Sequence, residues 1–71
     1  MKKYEKFGRV MRAHRILKGM KVPEVCEFLG IKEQRYYKFE SGTSVPNLAL
    51  AVKISDFLEF DLAESVRESL L

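Results

Sequence analysis

Gln34, Arg35 and Lys38 are the side chains of this 71-residue chain whose types and spacing best suit directed chemistry. That chemistry is hydrogen bonding to the edge of a base. A glutamine amide donates and accepts at once, so Gln34 can pair with adenine N6 and N7. Arg35 or Lys38 can donate to guanine O6 and N7, each good contact giving ~1–3 kcal/mol of discrimination. Glu33 repels phosphate but can accept from cytosine N4, and Tyr37 can stack or touch a thymine methyl. No catalytic set competes with this reading. His14 is the only histidine and Cys26 the only cysteine, and no second ligand stands near either at metal spacing. His14 reads as a helical residue at the edge of a core, and Cys26 as a small buried one. Gly8, Gly19, Gly30 and Gly42 each fall where a helix begins or ends, not in a phosphate-cradling loop. The expectation is a non-enzyme with no metal, cofactor or small-molecule ligand.

The stretch Val22–Gly42 must position these side chains. Val22, Val25, Cys26 and Leu29 recur at helical spacing, giving one apolar face. Gly30 then suits the left-handed position that ends a helix, and Ile31 plugs the turn. A second short helix, Glu33–Glu40, points Tyr36 and Phe39 inward and is stopped by Ser41-Gly42. Gln34 and Lys38 lie roughly 160° from Tyr36 on either side at about 3.6 residues per turn. An aromatic inner face therefore backs a polar outer one. This is the layout of two helices on a tight turn that present the second to a major groove.

At this point the residues resemble a known family. Phe7-Gly8, Met11, Arg15, Gly19, Glu24–Cys26, Leu29-Gly30-Ile31, Tyr36, Phe39-Glu40, Gly42, Pro46, Leu50, Ile54 and Leu58 are similar in type and spacing to Cro/repressor-type, Xre-like helix-turn-helix domains. The resemblance implies an all-α, lambda-repressor-like bundle of five helices. It also implies a pair between Arg15 on the first helix and Glu40 at the end of the recognition helix. The loop after that helix would offer phosphates its backbone N–H groups and the hydroxyls of Thr43 and Ser44. Three positions depart from the family. Cys26 stands where Ala is usual. Lys21 and Lys32 replace the Ser or Thr that normally caps the two helices, a loss of ~1 kcal/mol each. Val22 takes a place where a polar side chain often touches DNA.

Length and composition bound the rest. One domain spanning 1–71, with its helix-turn-helix core at about 22–42, is near the lower size limit for a self-sufficient core. Hydrophobic content of 46% argues for a folded bundle. No apolar run approaches the ~20 residues that span a bilayer, and the lone cysteine fits a reducing, cytoplasmic setting. Residues 1–38 carry eleven Lys/Arg against four Glu, and residues 39–71 carry two against six Asp/Glu. The halves are therefore +7 and −4, which return the net +3. A basic half that coincides with the helix-turn-helix suits a polyanion. Lys2, Lys3, Arg9, Arg12, Lys21 and Lys32 are the phosphate candidates, the two cap-site lysines adding charge to helix N-termini.

The first helix is expected from about Tyr4 to Lys18, with Phe7, Val10, Met11, His14 and Leu17 inward. Pro46 is expected to start a fourth helix that ends near Leu58, apolar almost all round, with Leu50, Ile54 and Leu58 as its core stripe. Asp61 reads as the cap of a fifth helix bearing Leu62, Val66 and Ser69/Leu70. Phe57, Phe60, Leu62, Val66 and Leu70 form the expected dimer interface; the other reading makes them an extension of the monomer core. A single recognition helix reads few base pairs, so the expectation is a homodimer on an inverted repeat. With no effector domain in the chain, a phage Cro-like repressor fits best. The alternative is a protein-interaction module of the same fold, an antirepressor or antitoxin-like partner of a second repressor protein.

Overall fold

A computed structural model describes residues 5–67. Lys2, Lys3, Ser69 and Leu70 lie outside the described residues. Within them five helices follow one another: α1 (Glu5–Leu17), α2 (Val22–Leu29), α3 (Glu33–Ser41), α4 (Leu48–Leu58) and α5 (Leu62–Val66). The described residues contain no strand.

Amphipathic spacing gives each helix one buried face. Phe7 and Met11 of α1, Val25 and Leu29 of α2, Tyr36 and Phe39 of α3, and Ile54 and Leu58 of α4 meet in a single core. α1 packs chiefly on α3, and Gly8 makes that contact close. A Cβ built on Gly8 would lie 2.4 Å from the Glu40 carbonyl oxygen and 2.6 Å from that of Phe39. Gly8 is thus the fourth residue of α1, not a helix boundary as its sequence context suggested. It is glycine because another backbone occupies the space of a side chain.

Helix termini depart from the sequence expectation where chain chemistry overrides pattern. Pro46 does not start α4. It is buried, and Asn47 caps the helix by accepting from the Leu50 N–H at 2.9 Å. α4 ends on Glu59 in the left-handed region, φ 61°, the one described non-glycine residue there. Its carboxylate meets the Lys18 ammonium at 2.5 Å, which holds the Glu59 carboxyl below its usual range. Asp61 caps α5 as expected, accepting from the Glu64 N–H at 3.2 Å.

Leu17 is corrected from an inward to an outward residue, 79% exposed. It sits about 80° from Phe7 and about 120° from Met11 around the helix, off the stripe that those two bury. His14 is half-buried with its ring 5.5 Å from that of Phe60, at the core's edge. Cys26 is a buried free thiol, pushed up by burial and then by Glu33 and Glu40.

Candidate nucleic-acid interface

The turn that sets α3 is closed by backbone chemistry. Gly30 adopts φ 71° and donates to the Cys26 carbonyl at 2.8 Å, and Ile31 donates to the same oxygen at 3.2 Å. At the far end Gly42, φ 81°, donates to the Phe39 carbonyl at 3.2 Å. Both are positions where an L side chain would be strained.

Between these stops α3 divides cleanly. Tyr36 and Phe39 are fully buried, whereas Glu33, Gln34, Arg35, Tyr37 and Lys38 are exposed. Lys32, Gln34, Arg35, Tyr37, Lys38 and Ser44 surround one shallow depression, together with Gly30 and Ile31 of the turn. No carboxylate lines it. Glu33 faces a neighbouring groove, which Gln34 shares with Pro23 and Glu27. Arg35 leans on the Phe39 ring, its guanidinium carbon 5.6 Å from the centroid, which restrains its reach.

The inner side of α3 is tied to α1 by charge. Arg15 Nε donates to Glu40 Oε2 at 2.7 Å, Nη2 approaches Oε1 at 3.4 Å, and Nη1 donates to the Met20 carbonyl at 3.0 Å. The two side chains are only 14% and 9% exposed. The bond to Glu40 chiefly raises the Arg15 pKa, against the opposing effect of burial. Tyr36 lies under this pair. Burial first, then the Glu40 carboxylate, push its ionisation well upward. Yet the hydroxyl finds no partner in hydrogen-bond geometry among the described residues. Glu40 therefore acts on the phenol through its charge.

The cap-site lysines behave as their chemistry dictates. Neither Lys21 nor Lys32 makes a side-chain cap, since an ammonium has no lone pair to accept with. At α2 the reverse half of a capping box remains, with the Lys21 N–H donating to Glu24 Oε1 at 2.8 Å. Lys21, Lys32 and Arg12 are exposed and form no ion pair among the described residues. Arg9 is exposed but bonded to Glu5 at 2.7 Å. Val22 is buried, so the α2 terminus presents no side chain there.

The loop after α3 differs from expectation. The N–H groups of Thr43 and Ser44 are not open to a ligand, because both donate to the Lys38 carbonyl, at 3.0 and 3.2 Å. Thr43 Oγ1 is paired with Ser41 Oγ at 2.8 Å. At Thr43 and Ser44 the hydroxyls, not the amides, are what the loop can offer.

Phe57, Phe60, Leu62 and Val66 are half-buried against the chain's own core. Phe60 meets Phe7 edge-on at 5.9 Å, and Phe57 stacks on Phe28 at 3.9 Å. Ser65, which carried no apolar signal, is the fully buried residue of α5, its hydroxyl bonded to the Leu62 carbonyl at 2.6 Å. The large apolar residues left exposed on and before α4 are Val45, Leu48 and Val52.

A helix-turn-helix family model matches residues 11–65, most of the chain, taking in α2, α3 and α4 whole and α5 except Val66. The chain belongs to the helix-turn-helix family. This family comprises DNA-binding regulators and is not an enzyme class. A protein of Methanocaldococcus jannaschii named as an HTH-type transcriptional regulatory protein is 29% identical over 59 residues, 83% of this chain and 19% of its own length. An SPbeta prophage-derived uncharacterized HTH-type transcriptional regulator of Bacillus subtilis is 36% identical over 52 residues, 73% of this chain and 48% of its own. The chain therefore spans less than half of either relative. No solved structure matches it significantly. No helix among the described residues is long and apolar enough to cross a membrane, and no group of three or more His, Cys, Asp or Glu there is placed to hold a metal ion.

Proposed function

We propose that this helix-turn-helix chain acts as a Cro-like repressor that inserts α3 into the major groove of duplex DNA. One observation carries the reading. Every polar side chain of α3 from Glu33 to Lys38 is exposed while Tyr36 and Phe39 hold the helix to the core. Gln34 and Lys38 are the base-reading pair, with Tyr37 and Glu33 flanking them, and Arg35 serves from a restrained position. Arg12, Lys21, Lys32 and the hydroxyls of Thr43 and Ser44 neutralise or bond phosphates, which supplies affinity without sequence information. The prophage-derived relative supports a phage setting.

The protein works as a homodimer on an inverted repeat in this reading, because one α3 spans only a few base pairs. Its seam combines the exposed α4 residues Leu48 and Val52 with whatever surface of Phe57, Phe60, Leu62 and Val66 the core leaves uncovered. A second reading draws on Phe28, which is 54% exposed and stacked on Phe57. That aromatic surface suits an antirepressor or antitoxin-like protein partner.

Selection from random duplex DNA at fixed salt tests the proposal. Enrichment of an inverted repeat supports it, and replacing Gln34 and Lys38 together by Ala should then remove roughly 2–6 kcal/mol of preference while leaving the helical circular dichroism intact. Absence of any enriched sequence would transfer the assignment to the protein partner.

A further inference from the structure

We propose that Ile31 and Tyr37 together seat the 5-methyl group of a thymine beside the adenine-reading amide of Gln34. This rests on the DNA-binding reading above and adds which base pair the face selects. Gln34, Tyr37 and Lys38 stand at i, i+3 and i+4 and so share one side of α3. Ile31 lies three residues before Gln34 in the turn, and all four border the same depression.

Two features mark that depression as a place for an apolar group on a polyanion. Tyr37 is 52% exposed, next to a Tyr36 that is wholly buried, so the chain leaves a large ring outside a core that could use it. Ile31 packs against the core with part of its side chain and is only half-buried. The polar members of the rim include Lys32, Arg35 and Lys38, with no carboxylate. The acidic pair Glu27 and Glu33 lines the adjoining groove instead. In the major groove an A·T pair presents adenine N6 and N7 on one side and the thymine methyl on the other. An amide flanked by apolar surface matches that edge. An unmethylated G·C pair has no methyl to place there.

The test removes only the methyl group. The duplex recovered from the random pool is resynthesised with deoxyuridine replacing each thymine in turn. At one position per half-site, affinity should fall about fourfold, the ~0.8 kcal/mol of one buried methyl. Tyr37→Ser should lose most of this difference, whereas Tyr37→Phe should keep it, because the ring and not the hydroxyl makes the contact. Circular dichroism and salt-sensitive non-specific binding report that both variants are folded. Unchanged affinity at every uracil-substituted position, or a full fourfold difference persisting in Tyr37→Ser, overturns this inference and leaves DNA recognition standing. No enriched duplex at all overturns both.

Discussion

Replacing Glu40 by Ala should destabilise this domain more than any exposed acidic substitution. Glu40 takes two N–H groups of Arg15, at 2.7 and 3.4 Å, in a pair whose members are 9% and 14% exposed. Once it is gone, the Arg15 guanidinium keeps only the Met20 carbonyl at 3.0 Å. Removing one member of a buried pair costs ~3–5 kcal/mol, because the other charge stays desolvated. At roughly 0.05–0.15 kcal/mol per residue, a chain this short has about 4–11 kcal/mol in all. The melting temperature should therefore drop by about 12 °C or more, taking about 4 °C per kcal/mol as the smaller slope for a domain of this size. Glu5→Ala is the control. It breaks the exposed i,i+4 pair with Arg9, worth about 0.3–0.5 kcal/mol. Thermal melts of both variants followed by circular dichroism decide the matter. Equal shifts would refute the claim that α1 holds the end of α3 through this pair. Replacing both Arg15 and Glu40 by Met should recover part of the loss, since no charge is then left buried alone.

Gly8→Ala should also destabilise. The helix propensity gain of ~1 kcal/mol is outweighed by overpacking of ~1–3 kcal/mol or more, because the added carbon meets two backbone carbonyls; an unchanged or higher melting temperature would show that α1 can move away freely. Tyr36→Phe should leave stability at neutral pH equal or higher, since the buried hydroxyl lacks a partner. The same phenol has its folded pKa raised above its unfolded value near 10, so its contribution is complete below that pH. It is then lost as pH rises, because the unfolded chain releases the proton first. Wild type should thus lose stability above about pH 10 at ~1.4 kcal/mol per pH unit more steeply than Tyr36→Phe, and parallel denaturation curves would contradict this. For DNA binding, log affinity should fall linearly with log salt at about −0.9 per neutralised phosphate. Arg12→Ala and Lys32→Ala should each flatten that slope by up to this amount without altering sequence preference, and a slope unmoved in both would remove them from the phosphate contacts.

The fold and the exposed polar face of α3 were legible because their signals are local. The i, i+3, i+4 spacing of Val22, Val25, Cys26 and Leu29, and the placement of Gly30 and Gly42, depend on a few adjacent residues and the period of a helix. The exposure of Gln34 and Lys38 opposite Tyr36 follows from the same geometry. The Arg15–Glu40 contact spans 25 positions and came from family resemblance, not from spacing. What escaped depends on space between distant segments. Gly8 looks like a helix boundary until the Phe39 and Glu40 carbonyls are placed against it. Leu17 looks core-facing until Phe7 and Met11 are seen to define the buried stripe, which leaves Leu17 about 80–120° to one side. Pro46 is a plausible helix start, but Asn47 next to it makes the hydrogen bond that defines the cap. Glu59 takes a left-handed φ with no glycine to announce it.

The two sides of α3 face opposite physical demands, and this explains which residues can change without loss of the fold. On the inner side Gly8, Arg15, Tyr36, Phe39 and Glu40 constrain one another through contact, charge and burial. A change at any of them alters the seating of the helix. On the outer side Gln34, Tyr37 and Lys38 are exposed, and none of them forms an ion pair among the described residues. Substitution there should cost little folding energy and, in the proposed reading, act on recognition alone. Arg35 lies between the two regimes, because its guanidinium rests on the Phe39 ring that anchors the helix. Changing Arg35 should therefore move stability and binding together, whereas changing Gln34 or Lys38 should move binding only.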